Sequence, residues 1–546
     1  MKKHIYIMAL LATTGLQAQI LNINNSDGTF LPIETKETRE ITFNETQKTV
    51  TLTLNGGLQH IFHTGKVESI SPKTDKKNQL TYNLNPEIAF DENDKNEFNE
   101  VIETIPDVET TENDYGDFVE KFSVGTIVNI VFSENDVTVT GGNIPYTKNG
   151  AHLTINSLSS KVGYIVSGKS NNGSLKIYSE KKFQLMLSGL DLTNPSGPAI
   201  NIQTGKTIYF TIDENTTNQL CDGATYNAPA VADEDQKGTL FSEGQLVFDG
   251  TGTLNITSLG GHGVCSDDYI RIRSGNINII QAAKDGFHTN EKFIVGRTKT
   301  ASPTITVNAT NDGIDCGKGD VIIDAGKLEL ATGGEAIKVS NEDADPLVSA
   351  SATINGGYIK FTTSGEKSSG IKTEGAYKQT GGIIHGTVKG NGAKVINCDN
   401  NVTFTNGKLI GFAEGTILND TTSTGGIKCE GDFSIQKGTI AIGCTGKGAK
   451  GINCNRATIK GGDITVLSMG EDYIGISETR RSKALDATNV TITNGNSLFK
   501  AYDSAISATK ISIYKEGTLH AISENDTAID AEIAQSGGWI MTKDNQ

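Results

Sequence analysis

Tryptophan is almost missing from this 546-residue chain, which has 1, and methionine (5), arginine (7) and proline (10) are scarce. With Trp539 alone there is no tryptophan-lined platform for sugar rings, so tyrosine or charge would have to replace it. The net charge of −16 excludes the basic footprint that a polyphosphate partner needs, so no nucleic acid is expected. No run of 18 apolar residues occurs, which leaves no expected transmembrane segment. The Leu, Ala, Glu and Lys richness of helical bundles is absent, and with it the coiled coil. No CxxC or Cys/His zinc spacing occurs among the 7 cysteines. What is present is glycine, 62 residues of it, with many Thr, Asn and β-branched residues. That composition predicts many short strands and many turns.

The first 18 residues read as a secretory signal peptide. Lys2 and Lys3 precede the apolar run Ile5 to Leu11, and a small-residue stretch ends at Ala18. No cysteine follows closely, the first being Cys221, so a lipoprotein anchor is not expected. The expected location is secreted, periplasmic or at the cell surface. Residues 19–72 alternate apolar and polar, as in Val50-Thr51-Leu52-Thr53-Leu54, and predict a small β domain. Residues 73–122 read as an acidic linker: between Pro86 and Lys121 there are 13 Asp or Glu against 2 Lys.

Residues 123–546 carry a repeat. Its unit is small residue, inward apolar, outward polar, inward small, as in Gly313-Ile314-Asp315-Cys316 and Gly426-Ile427-Lys428-Cys429. The inward apolar anchors are Ile200, Leu240, Val264, Phe287, Ile314, Ile337, Ile371, Ile396, Ile427, Ile452, Leu485, Ile506 and Ile529. Their spacing has a floor of 21 to 25 residues, and the excess is insertion. Short strands with glycines between them follow each anchor. A period of this length with about three strands per unit predicts an all-β parallel β-helix of about 13 coils. A leucine-rich repeat would need a Leu and Asn ladder, and a propeller blade about 40 residues per unit. Insertions, the largest between Ile200 and Leu240, are where ligand contacts are expected.

In such a helix, sequence columns become physical ladders. Four cysteines, Cys316, Cys398, Cys429 and Cys454, share the inward small column with Ala, Ser, Thr and Val, the company of buried thiols. One disulfide between neighbours is also geometrically allowed. Two residues before the anchors, Asp285, Asp312 and Glu335 occupy successive coils, with Asp315 close by and Asp267 and Asp268 one strand edge away. Carboxylates stacked about 5 Å apart repel. A calcium ion would remove that cost; a solvated acidic edge that discourages aggregation is the alternative. Farther on, the same columns turn basic through Lys338, Lys372, Lys394, Lys428 and Lys450. This strip would hold a line of sugar carboxylates, or merely protect an edge.

From about residue 125 to 400 the chain resembles the exported β-helical carbohydrate-binding domain family related to pectate lyases. The resemblance rests on Asn194-Pro195-Ser196-Gly197-Pro198-Ala199-Ile200 and Lys237-Gly238-Thr239-Leu240-Phe241-Ser242-Glu243-Gly244. It continues through Val264-Cys265-Ser266-Asp267-Asp268, Lys284-Asp285-Gly286-Phe287, Asn311-Asp312-Gly313-Ile314 and the acidic loop 341–345. It implies a right-handed parallel β-helix, bound calcium and affinity for acidic, polygalacturonate-like polysaccharide. His262 and Glu335 depart from the family pattern, and the coils after about 400 lose the acidic motif. Three functions follow. A secreted non-catalytic carbohydrate-binding protein is the favoured expectation. A calcium-dependent polysaccharide lyase would need a base, for which Lys284, Lys318 and Lys338 are near the acidic columns. A structural adhesin or surface spacer is the third.

Overall fold

The computed structural model describes residues 20–91, 93–94, 118–229, 231–296, 302–419 and 421–545. The signal peptide and most of the acidic segment lie outside the described residues. The chain divides into two compact units, Phe90–Asn401 and a unit joining Met1–Ala89 to Val402–Gln546.

The unit Phe90–Asn401 is a parallel β-helix. Each strand pairs in parallel with its counterpart one coil later, so three columns of strands run through the unit. One runs Thr253–Ser258, Asn276–Ala282, Thr304–Ala309, Lys327–Thr332, Tyr358–Thr363 and Ile383–Val388. A second runs from Leu246–Gly250 through Ile270–Ile272, Phe293–Val295, Val321–Ile323 and Ala352–Ile354 to Tyr377–Gln379. The third carries the anchors, and its register is the one expected. Ile200, Leu240, Val264, Phe287, Ile314, Ile337, Ile371 and Ile396 are stacked partners. The ladder also begins earlier than expected, because Leu153 and Leu175 occupy the same column before Ile200.

Alternation explains why these segments are strands. In Lys327–Thr332 every second residue, Leu328, Leu330 and Thr332, is buried. The anchors are fully buried, each contributing about 1.5–3 kcal/mol by leaving water. The small residue before most anchors has a steric cause. A Cβ at Gly286 would sit 2.3 Å from Val307 Cγ1 and 2.7 Å from the Gly313 carbonyl, so coil-to-coil pairing there leaves no room for a side chain.

The described ends of the acidic segment are not a solvated linker. Asp94 is buried, with Oδ2 2.7 Å from His385 Nε2, and Phe90 stacks on that imidazole at 4.8 Å. At the other end Glu120 accepts hydrogen bonds of 2.8 and 3.2 Å from the Arg273 guanidinium. Both ends are held on the coils by charge and ring contacts.

The other unit also has parallel coils, with Ile427, Ile452, Leu485, Ile506 and Ile529 in register. Residues 20–72 do not form a separate core there. Leu58–His63 pairs antiparallel with the last strand, Trp539–Lys543, and continues through Thr49–Leu54 to Thr38–Asn44. One buried cluster joins Ile23, Leu31, Val50, Leu52 and Phe62 to Ile522, Trp539 and Met541. The expected boundary at 72 therefore cuts through a shared core. All 7 cysteines are free thiols.

Candidate carboxylate and histidine site

Each acidic column residue sits at the corner where a coil turns into its anchor strand. The corner dictates what half of each carboxylate does. Asp285 Oδ1 accepts the backbone N–H of Asp312 at 3.0 Å, and Asp312 Oδ1 accepts that of Glu335 at 2.7 Å. The side chain of one coil thus satisfies the donor of the next. Asp285, Asp312 and Asp315 are all buried, and one oxygen of each lies within 4.8 Å of the others.

Basic side chains surround the cluster. His262 Nδ1 lies 3.0 Å from Asp285 Oδ2, and His288 Nδ1 lies 3.6 Å from Asp285 Oδ2 and 3.1 Å from Asp315 Oδ2. The two imidazoles stack at 4.7 Å. Lys338 Nζ stands 3.1 Å from Asp315 Oδ1, and Lys372 Nζ 3.7 Å from Glu335. Charge and burial then pull in different directions. Burial raises Asp285, but the bonds from His262 and His288 outweigh it and hold the carboxyl well below its usual range. Burial would lower His288, but Asp285 and Asp315 lift it to about 9, so the ring is an imidazolium at neutral pH. Burial, followed by repulsion from Glu335, Asp285 and Asp315, pushes Asp312 up to about 8. Asp312 therefore holds a proton where the site has one negative charge too many.

Of the expected metal ligands, Asp285, Asp312 and Asp315 come together, with Glu335 beside Asp312. Asp267 and Asp268 do not join them. Asp267 forms an acidic group with Asp235 and Glu243 and is paired to Lys237 at 2.6 Å. Asp268 accepts a hydrogen bond from Gln245. The expected lysines are not a uniform strip. Lys338 and Lys372 are neighbours in register, but both face carboxylates. Lys394 is buried and its ammonium donates to the Gly392 carbonyl at 2.8 Å, so it is not offered to a ligand. In the other unit Lys428 pairs with Glu430 at 2.6 Å and Lys450 with Asp486. His262 and His288 were not expected in the site. Their columns place them beside Asp285, and that adjacency was the available signal.

Three strands per coil around a buried aliphatic ladder, with a charged ladder at one corner, define a parallel β-helical protein. A family model described as carbohydrate-binding domain-containing protein matches residues 149–473, more than half of the chain. This chain belongs to that family. Among solved structures, the polysaccharide lyase-like protein from C. thermocellum, as its gadolinium derivative, is 19% identical. That match covers 51% of this chain and 96% of the other, with a TM-score of 0.39. No curated protein matches.

Proposed function

We propose that this chain is an exported, non-catalytic protein that binds acidic polysaccharide, with a calcium ion held by Asp285, Asp312, Asp315 and Glu335. The family supports the carbohydrate. The ion rests on the observation that three buried carboxylates share one corner, where burial and mutual repulsion push Asp312 upward. Hard oxygen donors in excess negative charge suit calcium, which takes 6–8 such ligands. Calcium would take the place of the proton on Asp312, and it would supply the positive charge that lets these carboxylates share one corner. His288 and Lys338 then fix the orientation of Asp285 and Asp315 around it.

The test is a titration of the exported form with polygalacturonate, with and without calcium, while absorbance reports unsaturated products. Saturable, calcium-dependent binding without product is the expected result. Product formation would replace this reading with a lyase, and no binding in either condition would remove the acidic sugar.

A further inference from the structure

The strongest unclaimed surface lies away from the carboxylates, in a groove of about 840 Å³ in the Phe90–Asn401 unit. Lys121, Lys161, Lys181, Lys182 and Lys206 line it, against the single carboxylate of Glu180. Such a concentration of one sign stands out in a chain whose net charge is −16.

Four of the lysines form two staggered pairs set by the coil repeat. Lys161 and Lys182 stand two residues before the paired Gly163 and Gln184. Lys181 and Lys206 stand two residues before the paired Phe183 and Ile208. Equivalent corners of successive coils are about 4.8 Å apart, so the ammonium groups repel at close range. Lys161, Lys181, Lys182 and Lys206 are exposed, and among the described residues no carboxylate neutralises them. This is the opposite of Lys338, Lys372, Lys428 and Lys450, each of which faces a carboxylate.

The groove also has a wall and rings. Residues 118–122 are fixed by the Glu120–Arg273 ion pair. That anchoring lays Phe122 against Tyr209, ring centroids 4.8 Å apart, and Lys182 Nζ stands 5.9 Å from the Tyr209 centroid. Aromatic faces beside staggered pairs of cations suit a polymer with apolar sugar faces and a repeating negative charge.

We propose that this groove, and not the Lys338 to Lys450 strip, is where the acidic polysaccharide lies. The inference rests on the proposed binding function and deepens it by naming the contact surface. The ligand's carboxylates lie along Lys161, Lys182 and Lys206, and its sugar rings lie toward Phe122.

The experiment is calorimetric titration of the full chain with oligogalacturonate at two salt concentrations. Three proteins are compared: the wild type, Lys161→Glu/Lys182→Glu/Lys206→Glu, and a control with the same charge change, Lys378→Glu/Lys389→Glu/Lys437→Glu. The groove variant should bind at least tenfold more weakly, the control should stay within twofold, and salt should weaken the wild type. A Lys→Gln set at the three groove positions, checked by circular dichroism, covers any failure of the reversed set to fold. If the wild type binds and the groove variants match it, or the control falls equally, the groove assignment is overturned and the binding function stands. If the wild type binds anionic lipid vesicles but no acidic glycan, both fall.

Discussion

Histidine is buried in both units, with opposite electrostatic outcomes. In the Phe90–Asn401 unit, His288 lies between Asp285 and Asp315, and those carboxylates lift it to about 9. In the other unit, burial drives His60 down to about 3 and His520 to about 4. His60 packs between Trp539 at 5.7 Å and Tyr82 at 5.0 Å, and neither of its nitrogens has a hydrogen-bond partner among the described residues. The same side chain is an ion in one place and an apolar plate in the other. Burial alone does not make a site; burial with carboxylates that need a counter-charge does.

The sharpest way to break this contrast is Trp539→Ala. It removes the ring on which His60, Phe62 and His520 pack, at a cost of about 3–5 kcal/mol. Calorimetry should show that loss in the melting of its unit, with calcium affinity unchanged. A parallel loss of calcium binding would show that the two regions are not independent.

Next in size is the pH dependence. His288 is raised above its unfolded 6.5, so its stabilisation is full below pH 6.5 and is lost as pH rises through about 9. Asp312, raised from 3.8 to about 8, acts in the same direction, losing stability as pH climbs between those values. His60 and His520 are lowered, so their contribution is present above pH 6.5 and is lost as pH falls toward 3 to 4. Melting scans without calcium should therefore show a decline of several degrees from the site as pH rises toward 9, and an acid decline that begins below pH 6.5 with the Trp539 core and is joined below about pH 4 by the lowered Asp285. Saturating calcium should flatten the alkaline limb alone.

A smaller effect separates structure from site. Asp312→Asn keeps an oxygen to accept the Glu335 N–H while removing one repelling charge. Stability at pH 8 without calcium should hold or rise by about 1 kcal/mol. A loss of several kcal/mol would mean that the carboxylate itself holds the coils together. Smaller again is His60→Phe, a shape-tolerant swap expected to cost under about 1.5 kcal/mol at pH 7 and to weaken the acid limb.

Much of the fold was legible because a β-helix converts spacing into contact. The anchors from Ile200 to Ile396, and from Ile427 to Ile529, stack in the register read from their motif. The site was half legible. Columns predict which residues are neighbours, and they brought Asp285, Asp312 and Asp315 together. They do not predict side-chain direction, which turns Lys394 back to Gly392 and carries Lys338 onto Asp315. Nor does a column one strand edge away share a pocket, which is why Asp267 belongs with Lys237. Residues 20–72 read as independent because pairing between distant segments, here Leu58–His63 with Trp539–Lys543, leaves no local sequence mark.

The most direct measurement is calcium titration by calorimetry at pH 7.5, on the wild type and on Asp285→Asn/Asp312→Asn. The account predicts one saturable calcium per wild-type chain and at least a tenfold loss in the variant. A wild type that takes up no calcium, or a variant that binds it as well, would contradict the account.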